Sequence, residues 1–178
     1  EQFEAYRQVV QDMEGRPVTI RTYDLGADKQ IDDSARASPN PALGLRAIRL
    51  CLTEPKRFIT QLRAMLRAST YGRMQILIPM LMNANEVDQA LLLIEQAKRS
   101  LDDDGIAYDR SVPVGGMVEI PAAALALGLL TKRLDFLSVG TNDLIQYMLA
   151  IDRTDDTVAH LYDPLHPAIL TVLAHVFD

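Results

Sequence analysis

Short apolar runs alternate along the chain with longer segments in which apolar side chains recur at helical spacing. The runs are rich in aliphatic and β-branched residues and predict strands, whereas the spaced segments predict helices. The predicted strands are 18–23, 74–80, 112–118 and 136–139. The predicted helices are 2–13, 43–52, 55–69, 85–101, 122–130, 144–151 and 168–177. Between them, 24–41 is polar and turn-rich and is the longest predicted loop.

Strands that alternate with helices at this spacing predict parallel crossovers and an α/β fold. The strands are apolar along their whole length, as expected when both faces of a sheet are covered. An open doubly wound sheet and a (β/α)8 TIM barrel both give this pattern. We favour the barrel because Arg21, Glu119, Asn142 and Asp143 fall at the C-terminal ends of strands, where barrel enzymes place their sites. Four strands make half a barrel, so residues 1–178 are expected to be one partial barrel domain, truncated at both ends.

Composition narrows the classes of partner. A net charge of −6 over 178 residues gives no indication of nucleic-acid binding. The single cysteine, Cys51, excludes an internal disulfide and fits a reducing cytosol, and we expect it to be a small buried apolar residue. No apolar run approaches the roughly 18 residues of a membrane span, and the first residues lack the layout of a signal peptide. A cytoplasmic protein without membrane insertion is therefore expected.

Two acidic residues are candidates for a metal site. Glu119 and Asp143 follow strands that are predicted to be neighbours, so their carboxylates could share one hard divalent cation such as Mg²⁺. For Asp143 the alternative is capping of the helix that follows. Glu119 lies between apolar residues, where an unpaired carboxylate is costly.

Three arginines are candidates for binding an anion. Arg21 ends an apolar strand, Arg46 lies near the start of a helix, and Arg153 follows the last predicted strand-helix unit. The planar guanidinium matches phosphate and carboxylate groups. For Arg46 and Arg153 the alternative is surface salt bridging, whereas Arg21 needs a partner that an anionic ligand could supply. These residues indicate a Mg²⁺-dependent site for a small phosphorylated carboxylate. The loop at 26–29 could also contact phosphate, but it contains no recognised anion-binding motif.

Four stretches resemble enzyme I of the bacterial sugar phosphotransferase system, the phosphoenolpyruvate–protein phosphotransferases. They are RTYDLGADK at 21–29, NPALGLR at 40–46, GMVEIPAA at 116–123, and SVGTNDL at 138–144 followed by AIDR at 150–153. The likeness runs nearly end to end. Ala27 departs from the family, which usually has a second glycine there, and Leu45 stands where an aromatic residue is common.

The resemblance implies a (β/α)8 barrel that binds phosphoenolpyruvate and Mg²⁺ at its C-terminal face. It implies that Glu119 and Asp143 ligate Mg²⁺, that Arg21, Arg46 and Arg153 hold the substrate's phosphoryl and carboxylate groups, and that Asn142 also contacts it. Lys29 would be a further phosphate contact.

The family passes the phosphoryl group to a histidine of the enzyme and on to the phosphocarrier protein HPr, the first step of sugar uptake. That histidine and the cysteine that protonates the enolate are expected outside this chain, which alone would be inactive. The intact enzyme would be a homodimer. The alternatives are a pyruvate phosphate dikinase or phosphoenolpyruvate synthase barrel, a regulatory nitrogen-type enzyme I paralogue, and a binding module that has lost catalysis.

Overall fold

The computed structural model describes residues 1–24 and 40–178 and has an α/β architecture. Its strands are β1 (Val18–Arg21), β2 (Met74–Ile78), β3 (Val114–Val118) and β4 (Phe136–Val139). Its helices are α1 (Gln2–Asp12), α2 (Ala47–Thr53), α3 (Pro55–Ala68), α4 (Ala84–Asp103), α5 (Pro121–Leu125), α6 (Gly128–Thr131), α7 (Thr141–Leu149) and α8 (Pro167–Phe177). Short 3₁₀ turns occur at Pro41–Leu43, Ser69–Tyr71 and Ala159–Leu161.

The order of the strands decides between the two predicted folds. All pairings are parallel, and the strands lie in the order β1-β2-β3-β4, so each strand pairs with the next one along the chain. Right-handed crossovers that always advance in one direction leave the helices on one face of the sheet, as in a barrel. A doubly wound sheet instead reverses its strand order and carries helices on both faces. The predicted barrel-type α/β fold is confirmed. The truncation of the domain at both ends stays a prediction.

The expectation that both faces of every strand are covered is wrong for β1. Val18 and Ile20 are partly buried, whereas Thr19 and Arg21 are exposed. The helices cover the face that carries Ile20, and on the other face Thr19 donates a hydrogen bond of 3.0 Å to Gln75 Oε1. The alternating pattern of β1 therefore reflects a sheet with one helix-covered face in the described part of the chain.

Prolines set two of the strand ends. The predicted strand 74–80 ends at Ile78 because Pro79 has no N–H to donate to the sheet. The predicted strand 112–118 begins at Val114, directly after Pro113. Helix α4 begins with a reciprocal cap, in which Asn83 Oδ1 accepts from Glu86 N at 3.0 Å and Glu86 Oε2 accepts from Met82 N at 2.8 Å.

Two predicted helices differ from the structure. The predicted helix 43–52 starts only at Ala47, because a 3₁₀ turn at Pro41–Leu43 and an extended Gly44 come first. The predicted helix 122–130 divides into α5 and α6, since the backbone leaves helical geometry at Ala126 and Gly128, a weak helix former, follows.

The core is aliphatic and lies between the sheet and the helices. Its largest fully buried side chains include Phe58, Leu62, Met65, Ile76 and Leu101. Cys51 is also buried, and burial raises the pKa of its thiol to about 12, which agrees with its predicted role as an apolar core residue. Within residues 1–24 and 40–178, no helix is both long and apolar enough to span a membrane.

Candidate functional site

The C-terminal edge of the sheet contains a cleft of about 370 Å³. Strands β1, β3 and β4 deliver their following residues to it, because the carboxyl ends of parallel strands meet at the same edge. All predicted site residues line this cleft except Lys29, which lies outside the described residues together with most of the predicted loop 24–41. The predicted residues at the cleft are Arg21, Arg46, Glu119, Asn142, Asp143 and Arg153.

Glu119 lies one residue beyond β3 and is only 2% exposed. Its Oε1 accepts a hydrogen bond of 2.7 Å from the backbone nitrogen of Met80, and its Oε2 has no hydrogen-bond partner among the described residues. Met80 has φ 61°, in the left-handed region that non-glycine residues rarely adopt.

The electrostatics of the cleft disfavour a charged Glu119. The pKa of this carboxyl is raised to about 7, and burial is the main cause. The hydrogen bond from Met80 and the charge of Arg21 oppose the shift, while the negative charges of Asp143 and Asp24 add to it. Burial is therefore the main reason that the charged form of Glu119 is disfavoured.

Gly140, the N-cap of α7, packs against Glu119. A Cβ at this position would lie 2.7 Å from Glu119 Oε2 and 2.9 Å from Met117 Sδ. The glycine of the SVGTNDL stretch is thus required by close approach to the carboxylate, since its φ of −91° is open to any residue.

Charged side chains of alternating sign run across the cleft. Asp24 lies 3.3 Å from Arg21 and 2.7 Å from Arg46, and Asp143 lies 3.3 Å from Arg46 and 3.4 Å from Arg153. Burial alone would lower the pKa of Arg46, but its hydrogen bond and charge interaction with Asp24 raise it above the ordinary value. The arrangement contains three guanidinium groups held by two carboxylates.

These contacts bear on two alternatives from the sequence. Asp143 lies in the first turn of α7 but makes no capping hydrogen bond, and both of its oxygens contact arginines. Arg46 is not a surface residue, since its side chain is 15% exposed. Arg21 is more exposed than expected, since its side chain is 47% exposed. It also already has a partner, because Asp24 pairs with it.

The sequence interpretation missed Asp24, Met80 and Tyr147. Asp24 lies three residues after Arg21 in the RTYDLGADK stretch, so its position there could have identified it as a site residue. Tyr147 lies four residues after Asp143 and hence on the same face of α7. Nothing in the sequence indicates that Met80 N contacts Glu119, because that contact depends on an unusual backbone conformation.

The remaining polar candidates have local roles. Asn142 is exposed at the cleft, and its backbone carbonyl accepts a hydrogen bond of 3.5 Å from the Tyr162 hydroxyl. His166 caps α8 through a bond of 3.2 Å from Ala168 N to its Nδ1.

The donor set fits a magnesium ion. In the part of the chain that the structure describes, no three His, Cys, Asp or Glu side chains form a metal-binding cluster. Mg²⁺ characteristically takes only one or two protein carboxylates and fills its other positions with water and substrate oxygens. Glu119 and Asp143 line the same cleft. Within residues 1–24 and 40–178, Glu119 Oε2 accepts no hydrogen bond, and a nearby cation would lower the raised pKa of this carboxyl.

Comparison with known proteins gives the family of the chain. A family model described as the phosphoenolpyruvate-binding domain of phosphoenolpyruvate-utilising enzymes matches residues 1–178. A protein of Cupriavidus necator named phosphoenolpyruvate-protein phosphotransferase is 60% identical over 98% of this chain and 30% of its own length. The protein of the same name from Bacillus subtilis is 46% identical over the whole chain and 31% of its own length.

A solved structure shares the fold. A citrate lyase from Burkholderia xenovorans LB400 superposes with a TM-score of 0.52 at 20% identity, over 98% of this chain and 55% of that one. At this identity the likeness concerns the fold alone. The chain spans about 30% of the length of the curated relatives. Its full-length match to the family model shows that the chain belongs to the phosphoenolpyruvate-utilising enzymes, as their phosphoenolpyruvate-binding domain.

Proposed function

We propose that this chain binds phosphoenolpyruvate and Mg²⁺ as part of a phosphoenolpyruvate–protein phosphotransferase. The observation that carries the proposal is the line of guanidinium groups, Arg21, Arg46 and Arg153, beside the buried carboxylate of Glu119. Phosphoenolpyruvate has a phosphate and a carboxylate, and the guanidinium fork matches both groups. The names of the relatives support this substrate.

In this proposal, Glu119 and Asp143 hold the magnesium ion. When bound there, the ion would supply positive charge that stabilises the phosphoryl group during transfer. Asp143 contacts Arg46 and Arg153 at 3.3 and 3.4 Å, which is long beside the roughly 2.7–2.9 Å of a charge-assisted hydrogen bond. Arg153 can therefore turn from Asp143 to an anionic substrate at little cost, whereas Arg46 also has a shorter contact of 2.7 Å with Asp24.

The residues of the cleft bind and orient the substrate. The bond between phosphorus and the enol oxygen breaks, the phosphoryl group passes to a histidine of the full-length enzyme, and the enolate that remains takes up a proton to give pyruvate. The histidine then passes the phosphoryl group to the phosphocarrier protein, which begins sugar uptake. The predicted contacts of Asn142 and Lys29 with substrate, the cytoplasmic location and the homodimer stay predictions.

The test uses the natural full-length protein with Mg²⁺ and phosphoenolpyruvate labelled in the phosphoryl group, without ATP. We expect acid-labile label on the protein and its transfer to added phosphocarrier protein. Chelation of Mg²⁺ should abolish both, and so should Glu119→Gln.

Glu95→Gln is the matched control, because Glu95 lies on the exposed side of α4 and pairs with Lys98 at 2.8 Å. It should retain transfer. Label that requires ATP and phosphate would contradict the proposal in favour of a dikinase. Absence of label in the wild-type protein would refute phosphoenolpyruvate as the donor.

A further inference from the structure

We infer that Tyr147 is a positioning residue of the phosphoenolpyruvate site and that it acts by fixing the guanidinium of Arg46. The inference rests on the proposed function, since it concerns the binding of that substrate. Tyr147 lies on α7, one turn after Asp143, and its side chain is partly buried. Its hydroxyl is 3.3 Å from Arg46 Nη1.

The hydrogen bonds of the hydroxyl give it a fixed direction. A tyrosine hydroxyl has one proton to donate, and here it donates to the backbone carbonyl oxygen of Ala42. The lone pairs of the oxygen are then left to accept from Arg46 Nη1. Burial raises the pKa of Tyr147, so the hydroxyl keeps the proton that this arrangement needs.

The two ends of the Arg46 guanidinium have different partners. Nη2 contacts both carboxylates, Asp24 at 2.7 Å and Asp143 at 3.3 Å, whereas Nη1 contacts the neutral Tyr147. An anionic substrate competes with the carboxylates for the same donor. The Tyr147 hydroxyl is neutral and contacts the other nitrogen, Nη1. This contact can therefore persist when the substrate replaces the aspartates at Nη2.

The backbone at Arg46 and Ala47 is a second reason to expect a contact that holds this segment in place. Arg46 is the N-cap of α2 with extended geometry, φ −143° and ψ 164°, and Ala47 after it has φ 49°. Tyr147 contacts this region twice, at the Arg46 side chain and at Ala42 in the 3₁₀ turn four residues earlier. One side chain of α7 thus joins the substrate-binding arginine and its approaching segment to the element that carries Asp143.

The test is a double-mutant cycle on phosphoryl transfer by the natural full-length protein. Tyr147→Phe keeps the ring and removes the acceptor of a hydrogen bond from a charged group, so the KM for phosphoenolpyruvate should rise about tenfold while kcat changes less than about twofold. In an Arg46→Ala background, the same change should leave kcat/KM unaltered, because a residue that acts through Arg46 has no effect without it.

Tyr108→Phe is the matched control. Its hydroxyl also contacts charged groups, Asp102 at 3.2 Å and Arg110 at 3.2 Å, but it lies before β3, at the opposite edge of the sheet. This variant should leave the KM unchanged.

The outcomes separate the inference from the proposed function. If wild-type protein uses phosphoenolpyruvate and Tyr147→Phe does so with the same KM, the inference alone is wrong. An equal loss of kcat/KM in the wild-type and Arg46→Ala backgrounds would show a general structural effect and overturn it as well. If wild-type protein transfers no phosphate from phosphoenolpyruvate, the proposed function fails first and the inference with it.

Discussion

The backbone nitrogen of Met80 donates a hydrogen bond of 2.7 Å to Oε1 of Glu119, so the segment after β2 holds the carboxylate that follows β3. This single bond is weak compensation for a carboxylate that is 2% exposed and faces two further acids. Its pKa of about 7 means that the carboxyl is close to half protonated at neutral pH. The state of Glu119 therefore responds both to pH and to any nearby cation.

The first prediction concerns stability and pH. The pKa of Glu119 rises from 4.5 to about 7 on folding, so the folded protein holds the proton more tightly than the unfolded chain does. The resulting contribution to the free energy of unfolding is fully present below pH 4.5 and is lost as the pH rises to 7. The shift corresponds to about 3 kcal/mol. Gln at position 119 cannot ionise, so Glu119→Gln should gain stability relative to wild type by up to about this amount as the pH rises.

Urea unfolding of wild type and Glu119→Gln at several pH values between about 4 and 8 measures the difference. Glu95→Gln supplies the comparison for an exposed carboxylate, and its difference from wild type should change little with pH. A Glu119→Gln difference that is constant across this range would show that Glu119 ionises normally in the folded protein.

The second prediction concerns the metal. A proton and Mg²⁺ compete for the Glu119 carboxylate, so the affinity for Mg²⁺ should rise by up to about tenfold per pH unit below pH 7 and level off above it. Calorimetric titration with Mg²⁺ across this range provides the measurement. Asp143→Asn should weaken binding at every pH and move the break to lower pH, because the charge of Asp143 contributes to the raised pKa of Glu119. An affinity independent of pH would exclude Glu119 as a ligand.

Much of the fold and site could be predicted from the sequence, because the informative residues follow strands. Once the strands are parallel, Arg21, Glu119 and Asp143 must meet at one edge of the sheet. The contacts within the site could not be predicted. Asp24 pairs with Arg46 although the two lie 22 positions apart in the sequence. The contact of Met80 N with Glu119 depends on a positive φ.

The sequence was also insufficient where the helix propensity of a segment competes with its tertiary packing. A run of alanine and leucine predicts one helix at 122–130, but the backbone leaves helical geometry between α5 and α6. Helix propensity is a small energy per residue, so packing of the surrounding elements overrides it.

The third prediction compares two ion pairs of equal length. Asp24–Arg46 and Asp88–Arg133 are both 2.7 Å long, but the side chains of the first are 12% and 15% exposed and those of the second 52% and 31%. Loss of the carboxylate leaves Arg46 buried beside one remaining acid. Asp24→Asn should cost about 1–3 kcal/mol of unfolding free energy, and Asp88→Asn less than about 1 kcal/mol.

Urea unfolding at one pH and at two salt concentrations distinguishes the pairs. Salt should reduce the cost of Asp88→Asn more, since exposed charges are screened and buried ones are not. Equal costs for the two variants would show that Asp24 adds nothing beyond a surface pair.

The last prediction compares two glycines with different surroundings. A methyl group at Gly140 would meet Glu119 Oε2 at 2.7 Å and Met117 Sδ at 2.9 Å, whereas a methyl group at Gly128 would meet nothing within 4 Å. Gly140→Ala must displace the carboxylate, so it should cost about 1–3 kcal/mol of stability and weaken Mg²⁺ binding. Gly128→Ala begins helix α6 with a better helix former and should be neutral or stabilise by up to about 1 kcal/mol.

Urea unfolding and Mg²⁺ titration of both variants measure the two effects. Gly140→Ala that is destabilised yet binds Mg²⁺ normally would show that Glu119 can move without loss of the site, and would argue against its role as a ligand.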